Sequence, residues 1–363
     1  MKRYFLPILL FALSPVIAHS VTAREVRSLE GKWQIAFDHD NIGKEELWHL
    51  QENFEKLSDK RKIKVPSCWE LVEKDYEVVA YYGHTFRIPA DWKDKVVRIQ
   101  FDAVNFRAEA WLNDHKVGVH EGGFTPFTLR IDRFMKAGGQ NTLTLRVVGP
   151  ILLKDKTVDG MGPMETPQWR GAIAGGIWQP VRLIATGGAF VKDVFIEPSI
   201  SDDTATFNLD LQQTAGKSTP GKIGIAIRSV GEPDKVVAAT SRTLNLDPGS
   251  TEQSWTLKIP DAKYWSPDDP HLYRAEVTVH ADKRLSDRWT TRFGLREFTV
   301  RDDRFYLNNE PIYLKATFFE GVYPNKLAYP DSREMAAREI RPATKAGFNM
   351  IRPWRKAPPP MWL

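Results

Sequence analysis

The chain has 363 residues, of which 42% are hydrophobic, 11% aromatic and 27% charged. This composition excludes a disordered chain, and the lack of an apolar run of about 18 residues excludes a helical membrane span. A single cysteine, Cys68, excludes an intramolecular disulfide and a cysteine-rich metal site, and a net charge of +5 without a basic block argues against nucleic acid.

Lys2 and Arg3 precede a mostly apolar stretch, residues 5–17, broken by Pro7 and Pro15. Val16-Ile17-Ala18 and Val21-Thr22-Ala23 are small-residue cleavage candidates. Residues 1–23 therefore read as a secretory signal peptide, and the mature protein is expected to be exported, periplasmic or secreted. No cysteine follows the apolar run, so a lipid anchor is not expected.

From residue 24 to 188 the pattern is short strands and polar turns. Val97, Ile99 and Phe101 alternate with Arg98, Gln100 and Asp102, and Leu143, Leu145 and Val147 with Thr142, Thr144 and Arg146. Period two with one apolar face predicts half-buried antiparallel strands. Asn113-Asp114 between Ala110-Trp111-Leu112 and Lys116-Val117 predicts a hairpin. A break falls at Thr186-Gly187-Gly188. Residues 189–297 carry some seven further strand candidates and fit an immunoglobulin-like sandwich without paired cysteines.

After residue 297 the pattern changes. Residues 305–307, the turn Asn308-Asn309 and residues 311–314 form a small hairpin that leads into Lys315-Ala316-Thr317-Phe318-Phe319. Asp331, with Glu334 three residues on, predicts a helix N-cap; the helix runs to about Lys345 and stops at Gly347, with Pro342 kinking or shortening it. Asn349-Met350-Ile351-Arg352 is the next strand. Strand, helix, strand is a βαβ unit, the start of a parallel sheet. Residues 298–363 are too few to close a barrel, which takes about 250 residues.

Several motifs stand in a telling order. They are Phe101-Asp102-Ala103-Val104-Asn105-Phe106 with Glu109-Ala110-Trp111-Leu112-Asn113, Glu121-Gly122-Gly123-Phe124-Thr125-Pro126-Phe127, and Gly175-Gly176-Ile177-Trp178. Tyr264-Trp265-Ser266-Pro267 and Phe293-Gly294-Leu295-Arg296-Glu297 follow. Together they resemble glycoside hydrolase family 2, the β-galactosidases, β-glucuronidases and β-mannosidases. The resemblance implies a sugar-binding jelly roll at 24–188, an immunoglobulin-like sandwich at 189–297, and the incomplete start of a (β/α)8 catalytic barrel at 298–363. It implies a retaining hydrolase of β-glycosides, with a carbohydrate partner and no cofactor. In the family the two catalytic carboxylates lie at the fourth and seventh barrel strands, so no catalytic residue is assigned here. The alternative is a stand-alone carbohydrate-binding sandwich protein without hydrolase activity.

The substrate-facing candidates sit at the ends of the two barrel strands: Phe319 and Glu320 after the first, Arg352, Pro353 and Trp354 after the second. Asn349-Met350-Ile351-Arg352 matches a family signature, in which the arginine orients a carboxylate or binds a sugar hydroxyl. Pro353-Trp354-Arg355-Lys356 departs from the Ser-His-Tyr-Pro of galactosidase-like members, which leaves the sugar open. Trp354 offers an indole for a pyranose face. Trp169 and Arg170, with Glu165, belong to a loop suited to face the site. Trp33, Trp111, Trp178 and Trp255 are expected in the core. Asn309-Glu310-Pro311 spells the Asn-Glu of the acid/base motif, but it falls in a turn before the first barrel strand, on the wrong side for catalysis. No His-Glu-x-x-His, Gly-x-Ser-x-Gly or phosphate-loop motif is present.

Overall fold

The computed structural model describes residues 23–151, 157–162, 175–319, 321, 323 and 330–353. Two antiparallel sheets form the first sandwich. The four-stranded sheet runs Glu25–Ser28, Val181–Thr186, Val96–Phe101, Phe127–Arg130. The six-stranded sheet runs Arg61–Val65, Gly31–Phe37, Val79–Arg87, Gln140–Val148, Arg107–Leu112, His115–Glu121. The predicted apolar faces meet between them: Val97, Ile99 and Phe101 pack in one core with Leu143, Leu145 and Val147. Asn113 and Asp114 take the left-handed φ values, 49° and 69°, that a tight hairpin turn requires.

The polar faces of these strands depart from the half-buried expectation. Thr144 and Arg146 are buried because residues 38–57, including the short helix Gln51–Lys56, lie over the six-stranded sheet. Phe54 of that helix presses onto Gly83, where any Cβ would stand 2.3 Å from its ring. The helix itself spans under two turns, too short for its periodicity to be read. Arg98 is buried for a different reason: its guanidinium lies 3.6 Å from the centre of the Phe190 ring, in the second sandwich.

That second sandwich pairs a three-stranded sheet, Ala189–Ser199, Thr204–Gln213, Gly249–Lys258, with a four-stranded one, Glu232–Leu246, Thr219–Ser229, Tyr273–Ala281, Arg284–Phe293. Seven strands in this split are immunoglobulin-like. Phe207, Leu209, Leu211, Ile223, Ile225 and Ile227 fill its core. The two sandwiches are tied by charge. Arg24 donates to both oxygens of buried Asp287, at 2.9 and 2.6 Å, and to the Val191 carbonyl at 2.7 Å. Trp33, Trp111, Trp178 and Trp255 are all buried, as expected, and so is Cys68.

A three-stranded meander follows: Phe298–Arg301, Arg304–Leu307, Glu310–Pro311. Asp302-Asp303 and Asn308-Asn309 turn it, all four with positive φ. Glu310 is exposed at the second turn. Ala316–Phe319 and Met350–Pro353 then pair in parallel, with helix Arg333–Lys345 between them in sequence. The helix begins one residue later than predicted. Ser332 is the N-cap, accepting from the Met335 amide at 3.2 Å, so Glu334 falls too early to complete a capping box. Pro342 is tolerated within the helix, which ends at Gly347 (φ 82°). There the Phe348 amide donates to Ala343 and the Gly347 amide to Thr344, a Schellman motif.

Candidate functional site

In parallel sheets followed by helices, functional groups collect at the carboxyl ends of the strands. Here Phe318 lies opposite Arg352, and Phe319 opposite Pro353. Paired residues share a face. Phe318 and Arg352 therefore stand on one face, and both are exposed. Ile351 and Pro353 stand on the other, lining a 360 Å3 groove with Ile340, Ala343 and Thr344 of the helix. Arg352 is thus presented on the face opposite the helix. Asn349 of the same signature plays a structural part. Its side chain accepts from the Lys315 amide at 2.9 Å and donates to the Tyr313 carbonyl at 3.0 Å, registering the two strands. Glu320 and Trp354, the residues next to these strand ends, lie outside the described residues.

The helix starts at this same end, and its entry residue Asp331 lines a 350 Å3 cavity with Pro66, Ser67, Leu71 and Val72 of the first sandwich. The sandwich thus contributes a wall beside the strand ends. That wall is pinned from within. The Ser67 amide donates to Ile177 and the Trp69 amide to Gly175. Trp69 is fully buried, and a Cβ on either Gly149 or Gly175 would stand 2.2 Å from its indole, so both positions require glycine.

Two sets of ionisable groups flank residues 163–174, the segment that contains Glu165, Trp169 and Arg170 and lies outside the described residues. On the downstream side Glu70 accepts from the Gly175 amide at 2.9 Å, while its second oxygen is buried with no hydrogen-bond partner among the described residues. Burial pushes its carboxyl up to about 8. On the upstream side Asp159 accepts from Arg146 at 2.6 Å and pairs with Lys44 at 2.7 Å. Arg146 also donates to Asn41 and reaches Glu109 at 3.3 Å. Burial opposes ionisation of Glu109 and Asp159. The cations around each outweigh it and hold both carboxyls below their ordinary values. Neither group is signalled in the sequence. Glu70 is a lone acid after a tryptophan, and the alternation of its strand points Arg146 at solvent.

Comparison with known proteins decides the family. The signature "Glycosyl hydrolases family 2, sugar binding domain" matches residues 73–186, and "Glycosyl hydrolases family 2" matches 189–296. The chain belongs to glycosyl hydrolase family 2. Among family-2 relatives it is 27% identical over 312 residues to a β-glucuronidase of Paenibacillus borealis, covering 80% of this chain and 49% of that one. It is 28% identical over 276 residues to a β-galactosidase of Thermoanaerobacter pseudethanolicus, covering 76% of this chain and 36% of that one. The chain thus spans half or less of the length of these curated relatives. A β-glucuronidase of Ruminococcus gnavus, solved with a C6-substituted uronic isofagomine, superposes with a TM-score of 0.76 at 20% identity, covering 94% of this chain and 57% of that one. That likeness shows the shared fold. The parallel pair with Arg352 lies beyond both matched segments.

Proposed function

We propose that this chain is the non-catalytic N-terminal portion of a retaining family-2 glycosidase that hydrolyses the O-glycosidic bond of β-glycosides. The observation that carries the reading is the parallel pair Ala316–Phe319 and Met350–Pro353, following two family-2 domains and the short meander at their end. A two-stranded sheet with Phe318 50% and Met350 38% exposed needs further strands to cover it, and a closing (β/α)8 barrel would supply them.

Retention needs a nucleophile and an acid/base carboxyl about 5–5.5 Å apart. In this reading both come from chain downstream of the second barrel strand. The residues present bind and orient. Arg352 offers a planar, permanently charged fork to a carboxylate or a sugar hydroxyl at the barrel mouth. Trp354 and Trp169 offer indoles to a pyranose ring, and Glu320 and Arg170 offer hydrogen bonds to hydroxyls. The N-terminal leader would export the protein. Among the described residues no helix is long and apolar enough to cross a membrane.

The test uses nitrophenyl β-glucuronide, β-galactoside and β-mannoside. The purified 363-residue chain is expected to turn over none of them, and the reading frame extended past codon 363 to turn over at least one. Turnover by the chain itself would place a catalytic pair within it and end the non-catalytic reading. An inert extended protein would end the hydrolase reading.

A further inference from the structure

A groove of about 500 Å3 crosses the outer face of the six-stranded sheet, beside helix Gln51–Lys56. Lys32, Gln34, Lys62, Glu55, His84 and Thr85 line it, over a floor of Phe54 and Gly83. The register places Lys32 opposite Lys64, and Gln34 opposite Lys62. Opposed residues share a face with Cβ atoms about 4.5–5.5 Å apart, and like charges so placed destabilise a sheet. All three lysines are exposed.

Neighbouring lysines have partners: Lys56 pairs with Glu52, Lys116 with Glu109, and Lys60 donates to helix carbonyls. Among the described residues no carboxylate lies within 4.0 Å of Lys32, Lys62 or Lys64. Glu55 is turned to Gln51, whose amide it accepts at 2.8 Å, and Asp331 lines the adjoining cavity beside Lys62 and Lys64. Lysines on an edge strand guard against aggregation, which accounts for Lys62 and Lys64. It does not account for Lys32, which lies on an interior strand. Apart from the Glu55 carboxylate and the aromatic Phe54 and Trp33, the rest of the lining is neutral. Gln34 and Thr85 are exposed, and burial holds the imidazole of His84, stacked 4.5 Å from Trp33, down to about 4, so it stays neutral near pH 7.

We propose that this groove is a second saccharide subsite, taking an acidic sugar whose carboxylate or sulfate sits over Lys32, Lys62 and Lys64 while its hydroxyls meet Gln34 and Thr85. It rests on the carbohydrate reading above; the groove adjoins the cavity at the helix entry, which Lys62 and Lys64 also line, and Arg352 is not among its lining residues. The anion relieves the Lys32–Lys64 repulsion, so a feature unfavourable to the sheet becomes favourable on binding.

Calorimetric titration of the full chain tests it with three probes: hyaluronan tetrasaccharide (carboxylate only), a κ-carrageenan tetrasaccharide (sulfate only) and neutral cellotetraose. At least one acidic probe is expected to bind about tenfold or more tighter than cellotetraose, and more weakly as salt rises. The two acidic arms tell carboxylate from sulfate. Lys32→Glu is expected to weaken that binding about tenfold without lowering the thermal midpoint, because the new carboxylate faces Lys64. Failure of both acidic probes, equal binding of cellotetraose, or unchanged affinity in Lys32→Glu would overturn the subsite. The glycosidase reading is scored separately, on nitrophenyl glycosides with the extended protein, where Lys32→Glu is expected to leave turnover unchanged.

Discussion

Arg146→Ala is expected to destabilise the protein by about 3–5 kcal/mol, the usual cost of removing one partner from a buried ionic group. The arginine side chain is completely buried, and Glu109 and Asp159 are 7% and 15% exposed. Without it, Lys116 and Lys44 each keep one anion, at 2.9 and 2.7 Å, but from half-exposed positions. Asn41 loses a donor, and a guanidinium-sized void opens under residues 38–57. Arg146→Met refills the void and leaves the carboxylates short of charge, so it should recover only part of the loss. Arg146→Lys keeps the charge without the fork and should fall between. Guanidinium unfolding of the three variants checks the order. A cost below about 1 kcal/mol for Arg146→Ala would mean the cluster behaves like a surface ion pair.

The same residue shows where sequence reading stops. Leu143, Leu145 and Val147 were legible as core because period two is a local property. The fate of the alternate face, Thr144 and Arg146, depends on residues 38–57, about a hundred positions upstream. Arg98 behaves likewise: only the docking of Phe190 covers it. Turn chemistry was legible where Asn and Asp stand in pairs, at Asn113-Asp114 and Asn308-Asn309. The helix start was misplaced by one residue because Asp331 and Ser332 are both good caps, and geometry chose between them. At the candidate site, the place of Arg352 at a strand end was legible from its motif. The separate duty of Asn349, bonding Lys315 and Tyr313 over thirty positions away, was not. Glu70 acquires its character from burial, and the amide it accepts from, that of Gly175, is 105 positions distant.

Glu70 is expected to contribute a loss of stability as pH rises from about 4.5 to about 8, opposed up to about 6.5 by His84, and Glu70→Gln is expected to remove that contribution. Burial is the cause: one oxygen of Glu70 has the Gly175 amide, the other no hydrogen-bond partner among the described residues, and the carboxyl rises from 4.5 to about 8. Below pH 4.5 folded and unfolded chains both hold the proton. Between 4.5 and 8 only the folded chain holds it, so through this group each unit of rising pH favours unfolding, by up to about 1.4 kcal/mol. Above 8 both have released it and the slope vanishes. Glutamine keeps an acceptor for the Gly175 amide and removes the titration. The stability difference between variant and parent should therefore widen in the variant's favour from pH 5 to pH 8, read by urea unfolding at each pH. A constant difference would show that the carboxyl is already ionised in the fold at pH 5. If it does widen, the negative charge that forms near pH 8 arises where residues 163–174 rejoin the sandwich. Its cost then falls on the contact that fixes Gly175 to the wall beside the strand ends.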